Sequence, residues 1–327
     1  MKVGLIGLKG HQGTIVEALR EADCRLVAVC DDDEEALAGV ATWPAAEAGT
    51  RTYTDFREML EREDLDIVGE AGTDNLRATV IQACAERGLH VLAEKPLCYS
   101  LEELDRLREA VDRAGIKLSM LLTMRFEPAY RVMREQVAAG VIGEVCQAAM
   151  QKSYRLGNRP AWQRSSRTFS GIIPFIGIHA LDLIRWTSGR EFTGAMAFQG
   201  NTGHPEVGDL EDNACLALRL DNGGSAAVRL DYCRPAAAPT HGDDRLRIAG
   251  SKGVIESLAC GTQVTLIANE QGPRELPLPV GPHQFVNFVR SVRGEEQSEV
   301  LAEDCFRMTE VVLRIRDASK RGEPTSL

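Results

Sequence analysis

No stretch of this 327-residue chain approaches the roughly 18 to 20 consecutive apolar residues that cross a bilayer. Neither does it carry a basic run or a basic, aromatic-rich segment. Lys plus Arg number 38 against 48 Asp plus Glu, the formal net charge is −10, and aromatic residues make up only 5%. A chain so acidic has no electrostatic footprint for a phosphate backbone, which excludes nucleic acid as the expected partner. The nine cysteines are scattered singly, with no Cys-x-x-Cys pair. That pattern excludes a disulfide framework and a zinc site, and we expect no metal. The chain opens directly on an apolar strand pattern without a signal peptide, so a cytoplasmic location is expected. Internal repeats, low-complexity tracts and long linkers are also missing. What is present is a hydrophobic content of 44%, enough for a large core over about two domains.

The grammar of the chain changes once. Up to about residue 122, strands near 2–7, 25–30, 66–70, 89–93 and 116–122 alternate with amphipathic helices such as Leu101–Ala114. Such alternation predicts a parallel sheet covered on both faces. From Phe126 a helix runs to about Gly140, and strands then dominate at 144–154, 192–201, 212–220, 225–233, 245–249, 253–257 and 262–268. Asp221-Asn-Gly-Gly224 is a hairpin turn signal between two of them. Helices are expected at about 177–188 and at 302–321, the latter with Cys305, Met308, Val312 and Ile315 as an apolar stripe. The fold class is therefore α/β: an N-terminal Rossmann dinucleotide-binding domain (1–122), then a C-terminal α+β domain (123–327) on an open, mostly antiparallel sheet.

Two motifs bear chemistry. The first strand runs into Gly7-Leu8-Lys9-Gly10-His11-Gln12-Gly13 and then a helical pattern with Ile15, Ala18 and Leu19 on one face. The second strand ends at Asp31, where a dinucleotide site places the acid that binds the adenosine ribose. Asp31-Asp-Asp33, with no arginine nearby, favours NAD over NADP, because a 2′-phosphate meets like charge there. The second motif is Glu94-Lys95-Pro96, which closes an apolar strand where an open α/β sheet binds its ligands.

Together with Tyr53-Thr-Asp-Phe, Arg125-Phe-Glu-Pro128, Gly177-Ile-His179-Ala-Leu-Asp182 and Leu246-Arg-Ile-Ala-Gly-Ser-Lys-Gly253, these motifs give the chain a full-length resemblance to the glucose-fructose oxidoreductase, inositol dehydrogenase and MocA family. The resemblance implies reversible, NAD-dependent oxidation of a secondary alcohol on a sugar, cyclitol or similar polyol. It implies a cis Lys95-Pro96 peptide, and a substrate domain whose sheet also joins copies of the chain into a homodimer or homotetramer. Cofactor contacts fall to Gly7, Leu8, Lys9, Gly10, His11, Gln12, Asp31, Thr73, Asn75, Glu94 and Lys95. Removing hydride from an alcohol carbon needs a base for the hydroxyl proton and a cation for the developing alkoxide. The resemblance assigns His179 and Lys95 to those roles. Asp182, three residues on along one helix face, is expected to hold a substrate hydroxyl. Tyr154, Arg155, Trp162 and Phe175 complete the expected substrate contacts.

Three departures from the family pattern fall on working parts. Lys9 and Gln12 stand where the family loop has glycines, and Lys9 either offers a cation to the pyrophosphate or blocks it. Phe175 stands four residues before His179, where the family has aspartate. Ala71-Gly-Thr-Asp-Asn-Leu-Arg77 lacks the family's proline and histidine. These leave a second reading open: a homologue that has lost hydride transfer and serves as a sugar-binding or regulatory protein, or as a lyase or hydrolase.

Overall fold

A strand buried on both faces has no polar side to show, and the strands of the first half are accordingly almost unbroken apolar runs. In the computed structural model, which describes residues 1–327, β1 (Lys2–Ile6), β2 (Arg25–Cys30), β3 (Arg51–Tyr53), β4 (Ile67–Glu70), β5 (His90–Ala93) and β6 (Leu118–Met120) pair in parallel in the order β3-β2-β1-β4-β5-β6. The order reverses between β1 and β4, the switch point at which such sheets bind ligands. Helices α1 (Gln12–Val16), α2 (Glu34–Gly39), α3 (Phe56–Arg62), α4 (Asp74–Ala85) and α5 (Leu101–Ala114) connect the strands. α5 is capped at both ends: the Ser100 side chain accepts from Glu103 N (3.2 Å), and Gly115 ends the helix in the left-handed conformation. β3 was not legible, being three residues long with two exposed, too short to show a period. α1 is shorter than its pattern suggests, and Ala18 and Leu19 are buried from the turns that follow it.

The contacts divide the chain into a first unit of 1–121 with 282–309, and a second of 122–281 with 310–327. A single boundary after residue 122 therefore misplaces the returning segment 282–309. Its helix, Gln284–Val292, puts Phe285, Val286, Phe288 and Val289 into the same core as Val3, Leu5, Leu26 and Val29. The helix at Ala302–Arg321 lies where expected, with its first part in the first unit and its remainder in the second.

The second unit is built on β7 (Val145–Arg155), β8 (Phe192–Gly200), β9 (Asn213–Leu220), β10 (Ser225–Arg234), β11 (Arg245–Gly250), β12 (Gly253–Leu258), β13 (Gln263–Ala268), β14 (Gln271–Glu275) and β15 (Thr325–Ser326). They pair in the order β14-β13-β12-β11-β7-β10-β9-β8-β15, antiparallel throughout except for β7 with β10. β14 and β15 are additions to the expected set, and neither offers an apolar alternation to read. Along β9, Ala214, Leu216, Leu218 and Leu220 are buried while Cys215, Ala217 and Arg219 are exposed, so one face packs and the other is open. Helices α6 (Pro128–Ala138) and α7 (Ile178–Ser188) belong to the same unit, and residues Ile173–Gly177 form a π-helical turn that runs directly into α7.

Candidate active site

In the first unit the loop after β1 is held by its own backbone and by acids at the ends of two strands, Asp31 and Glu94. A Cβ on Gly7 (φ 88°) would overlap the backbone of Gly72 in the loop after β4, and a Cβ on Gly10 would overlap the Glu94 carboxylate. Glycine is required at both positions, for close approach. Asp31, at the end of β2, accepts from Leu8 N (2.6 Å) at one oxygen, and from Lys9 Nζ (2.6 Å) and Asp33 N (2.9 Å) at the other. Lys9 also pairs with Asp32 at 2.8 Å. Burial opposes the charge on Lys9, but the two aspartates outweigh it and raise its pKa. Gln12 stays within the loop, accepting from Gly10 N (3.2 Å) and donating to Leu8 O (3.4 Å). Thr73 Oγ1 donates to Asn75 Oδ1 (2.8 Å) in the loop after β4. Strand, close-approach loop and acid suit a dinucleotide; the lysine paired with Asp31 departs from that pattern.

The neighbouring strands β4 and β5 each end in a buried glutamate. Glu94 accepts from His11 through its backbone N–H and its ring Nδ1, the latter at 2.6 Å. Burial alone pushes the Glu94 carboxyl up, yet His11, Lys95 and Arg77 hold it far below the carboxylate range. Glu70 accepts from Arg77 Nε (2.7 Å) and Gly72 N (2.8 Å), and here burial wins, raising its pKa. Arg77 is 1% exposed and also donates to Pro96 O (2.6 Å), Gly72 O (2.9 Å) and Asp74 (3.2 Å). It thereby ties the loop after β4 to the turn that carries Lys95, which is 2% exposed and precedes a cis peptide bond to Pro96.

In the second unit α7 carries His179, buried at 8% exposure, and Asp182. The expectation that Asp182 holds a substrate hydroxyl meets a prior claim. Both its oxygens are taken by Arg125, at 2.9 Å from Nε and 2.5 Å from Nη2, and the carboxylate is 1% exposed. A buried carboxylate needs such a cation.

Phe175, on the π-helical turn, packs edge to face against Phe169 (5.0 Å between ring centroids) and Trp162 (6.0 Å), and Trp162 also meets Phe169 at 6.0 Å. These are ordinary aromatic geometries. Tyr154 stacks on His241 (5.2 Å) and donates to Asp244 (3.2 Å). Burial, with Asp244 beside it, raises the Tyr154 phenol well above its usual range. Arg155 N donates to His241 O (3.0 Å), and Arg159 lies over the Tyr232 ring (4.1 Å). Lys152, wholly buried, pairs with the same Asp244 at 2.6 Å.

The sequence assigns no role to Glu70, Arg77, Arg125, Phe169, His241 or Asp244, and it groups Lys152 with Tyr154 and Arg155 as substrate contacts. A signal existed for the first pair, since Ile67-Val-Gly-Glu70 and Val91-Leu-Ala-Glu94 both close an apolar strand on glutamate. For Lys152 and Asp244, 92 positions apart, there was none.

A parallel sheet with this glycine loop and with Asp31 at the end of its second strand, followed by a unit that sets a buried histidine on a helix beside an open, mostly antiparallel sheet, defines a two-unit NAD-binding oxidoreductase. Residues 1–121 match the oxidoreductase family with an NAD-binding Rossmann fold, and residues 130–256 match the GFO/IDH/MocA C-terminal domain. The chain belongs to this family. It is 29% identical over 320 residues to a myo-inositol 2-dehydrogenase of Thermotoga maritima, covering 93% of this chain and 92% of that one. It is 27% identical over 312 residues to a scyllo-inositol 2-dehydrogenase (NAD(+)) of Bacillus subtilis, with 91% and 88% covered. A solved oxidoreductase-family structure from Thermotoga maritima superposes with a TM-score of 0.95 at 30% identity over the full length of both chains.

Proposed function

We propose that this chain is a dehydrogenase that oxidises a secondary alcohol of a sugar, cyclitol or similar polyol. The observation that carries the reading is the fixed turn at Lys95: a buried ammonium-bearing residue just past β5, between Glu94 and Pro96, whose carbonyl Arg77 holds. Bound NAD supplies the hydride acceptor. Gly7, Leu8, Gly10, His11, Gln12, Asp31, Thr73, Asn75 and Glu94 hold it. Lys95 stabilises negative charge as the substrate hydroxyl ionises, and His179 takes the proton. Asp182 is a positioning residue, fixing α7 through Arg125.

Trp162, Phe169 and Phe175 give the substrate an apolar wall where the family pattern has a carboxylate. Tyr154 and Arg155 supply polar contacts. That combination suits a polyol with one face poor in hydroxyls, since aromatic faces stack on the apolar side of a sugar ring. No helix is long and apolar enough to cross a membrane, and we place the protein in the cytoplasm. The open face of the second sheet, with Met196, Phe198 and Ile267 exposed, is proposed to join copies into a homodimer or homotetramer, which light scattering on the purified protein tests.

Calorimetric titration with NAD, followed by an absorbance screen for nicotinamide reduction over inositols, aldoses and anhydro sugars, tests the function itself. Binding with turnover on at least one secondary alcohol is expected. Binding without turnover on any would favour the reading in which hydride transfer is lost.

A further inference from the structure

A ribose diol that donates two hydrogen bonds to Asp31 needs two of the roughly four acceptor sites on its carboxylate, and three are already engaged. One oxygen is held by Leu8 N and the other by Asp33 N and Lys9 Nζ. The two backbone donors cannot leave without unfolding the loop. Lys9 can, because its ammonium ends a flexible stem and has a second anchor in Asp32. Exposure agrees: the Asp31 side chain is 1% exposed and that of Lys9 22%, so the surface offered at this point is the ammonium. The Lys9 side chain is also dispensable to the loop, whose path at this residue is fixed by Lys9 N donating to Ala71 O (2.9 Å).

We propose that Lys9 is a resident competitor for the adenosine-ribose position, occupying Asp31 until the ribose hydroxyls of NAD displace it, and so determining how much the ribose contributes to cofactor affinity. The hydrogen bond that the ribose makes in Lys9's place replaces a charge-assisted bond already present, and the net gain from it is small. The displaced ammonium stays beside exposed Asp32, where it continues to screen the acids. NAD therefore binds this chain with a blunted preference for the intact ribose. The inference rests on NAD binding to the first unit and on no property of the substrate.

The test is calorimetric titration of the full chain and of Lys9→Met with NAD and with its 2′-deoxyadenosine analogue, alongside thermal melting of both proteins without cofactor. The expected result is unchanged melting within a few degrees, NAD binding about three- to tenfold tighter in Lys9→Met, and a smaller gain for the analogue, so that the ratio of the two affinities rises. Asp31→Asn should flatten that ratio in either background. Equal weakening of both ligands in Lys9→Met would overturn the proposal, because it would place the ammonium on the pyrophosphate. An unchanged ratio would overturn it too. If neither protein binds NAD, the dinucleotide reading falls together with it.

Discussion

In the first unit a buried arginine, Arg77, reaches two acids and two main-chain carbonyls, and one of those carbonyls belongs to the residue after Lys95. In the second unit another buried arginine, Arg125, engages both oxygens of the Asp182 carboxylate, one helical turn beyond His179. Each guanidinium thus stands behind one of the two proposed catalytic residues. The difference lies in what is held. Arg77 fixes the path of a turn that has no helix to stiffen it, whereas Arg125 fixes the rotation of a helix that already keeps its own backbone bonds.

The comparison breaks most readily at the arginines themselves. Removing one partner of a buried pair leaves an uncompensated charge and costs about 3–5 kcal/mol. Arg77→Met strands two acids and frees two carbonyls, so it should fall at or beyond the upper end. Arg125→Met strands the Asp182 carboxylate on a helix that keeps its own backbone bonds, and should cost less than Arg77→Met. Urea midpoints measure both, and adding Asp182→Asn to Arg125→Met should recover part of the loss. If the two arginine variants lose equal stability, or in the reverse order, the distinction between clamping a turn and clamping a helix is wrong.

Phe175→Asp sharpens the comparison inside the second unit, by restoring to the first turn before His179 the carboxylate that the family pattern has. A nearby negative charge favours imidazolium. The apparent pKa on the acid limb of the pH–rate profile should therefore rise, and substrate preference should shift toward more polar rings. An unchanged profile in a folded, cofactor-binding variant removes Phe175 from the site.

A smaller effect is expected at Glu127, next to the α6 start. Burial pushes its carboxyl up to about 7, with Asp244 adding to the rise and Lys152 only partly opposing it. An unfolded glutamate titrates near about 4.3, so between those values the folded state holds the extra proton and stability falls as pH rises. Glu127→Gln has no such proton to lose, and its melting temperature should gain on that of the parent from pH 5 to pH 8. Parallel curves would show that Glu127 is ordinary.

The legible parts of the molecule were those written locally. The glycine loop, Asp31, the Glu-Lys-Pro turn and the alternation along β9 and β10 are short patterns with one physical reading each. What escaped was written across distance or without a period. The helix Gln284–Val292 has a strong apolar face, but nothing in its own sequence says that it returns to the first unit's core. Lys9 read as a choice between serving a phosphate and obstructing it; that it turns to Asp31 depends on β2 lying beside β1. Asp182 read as a ligand because its partner, Arg125, lies 57 positions away.

The account stands most directly on Lys95. Its turnover number and its NAD dissociation constant, measured side by side for the parent chain and for Lys95→Met with the best alcohol from the screen, separate chemistry from binding. A group that acts on charge developing in the transition state should lower turnover by about a hundredfold or more while NAD affinity changes by only a few-fold. Near-normal turnover in Lys95→Met, or a loss confined to NAD affinity, would contradict the assignment.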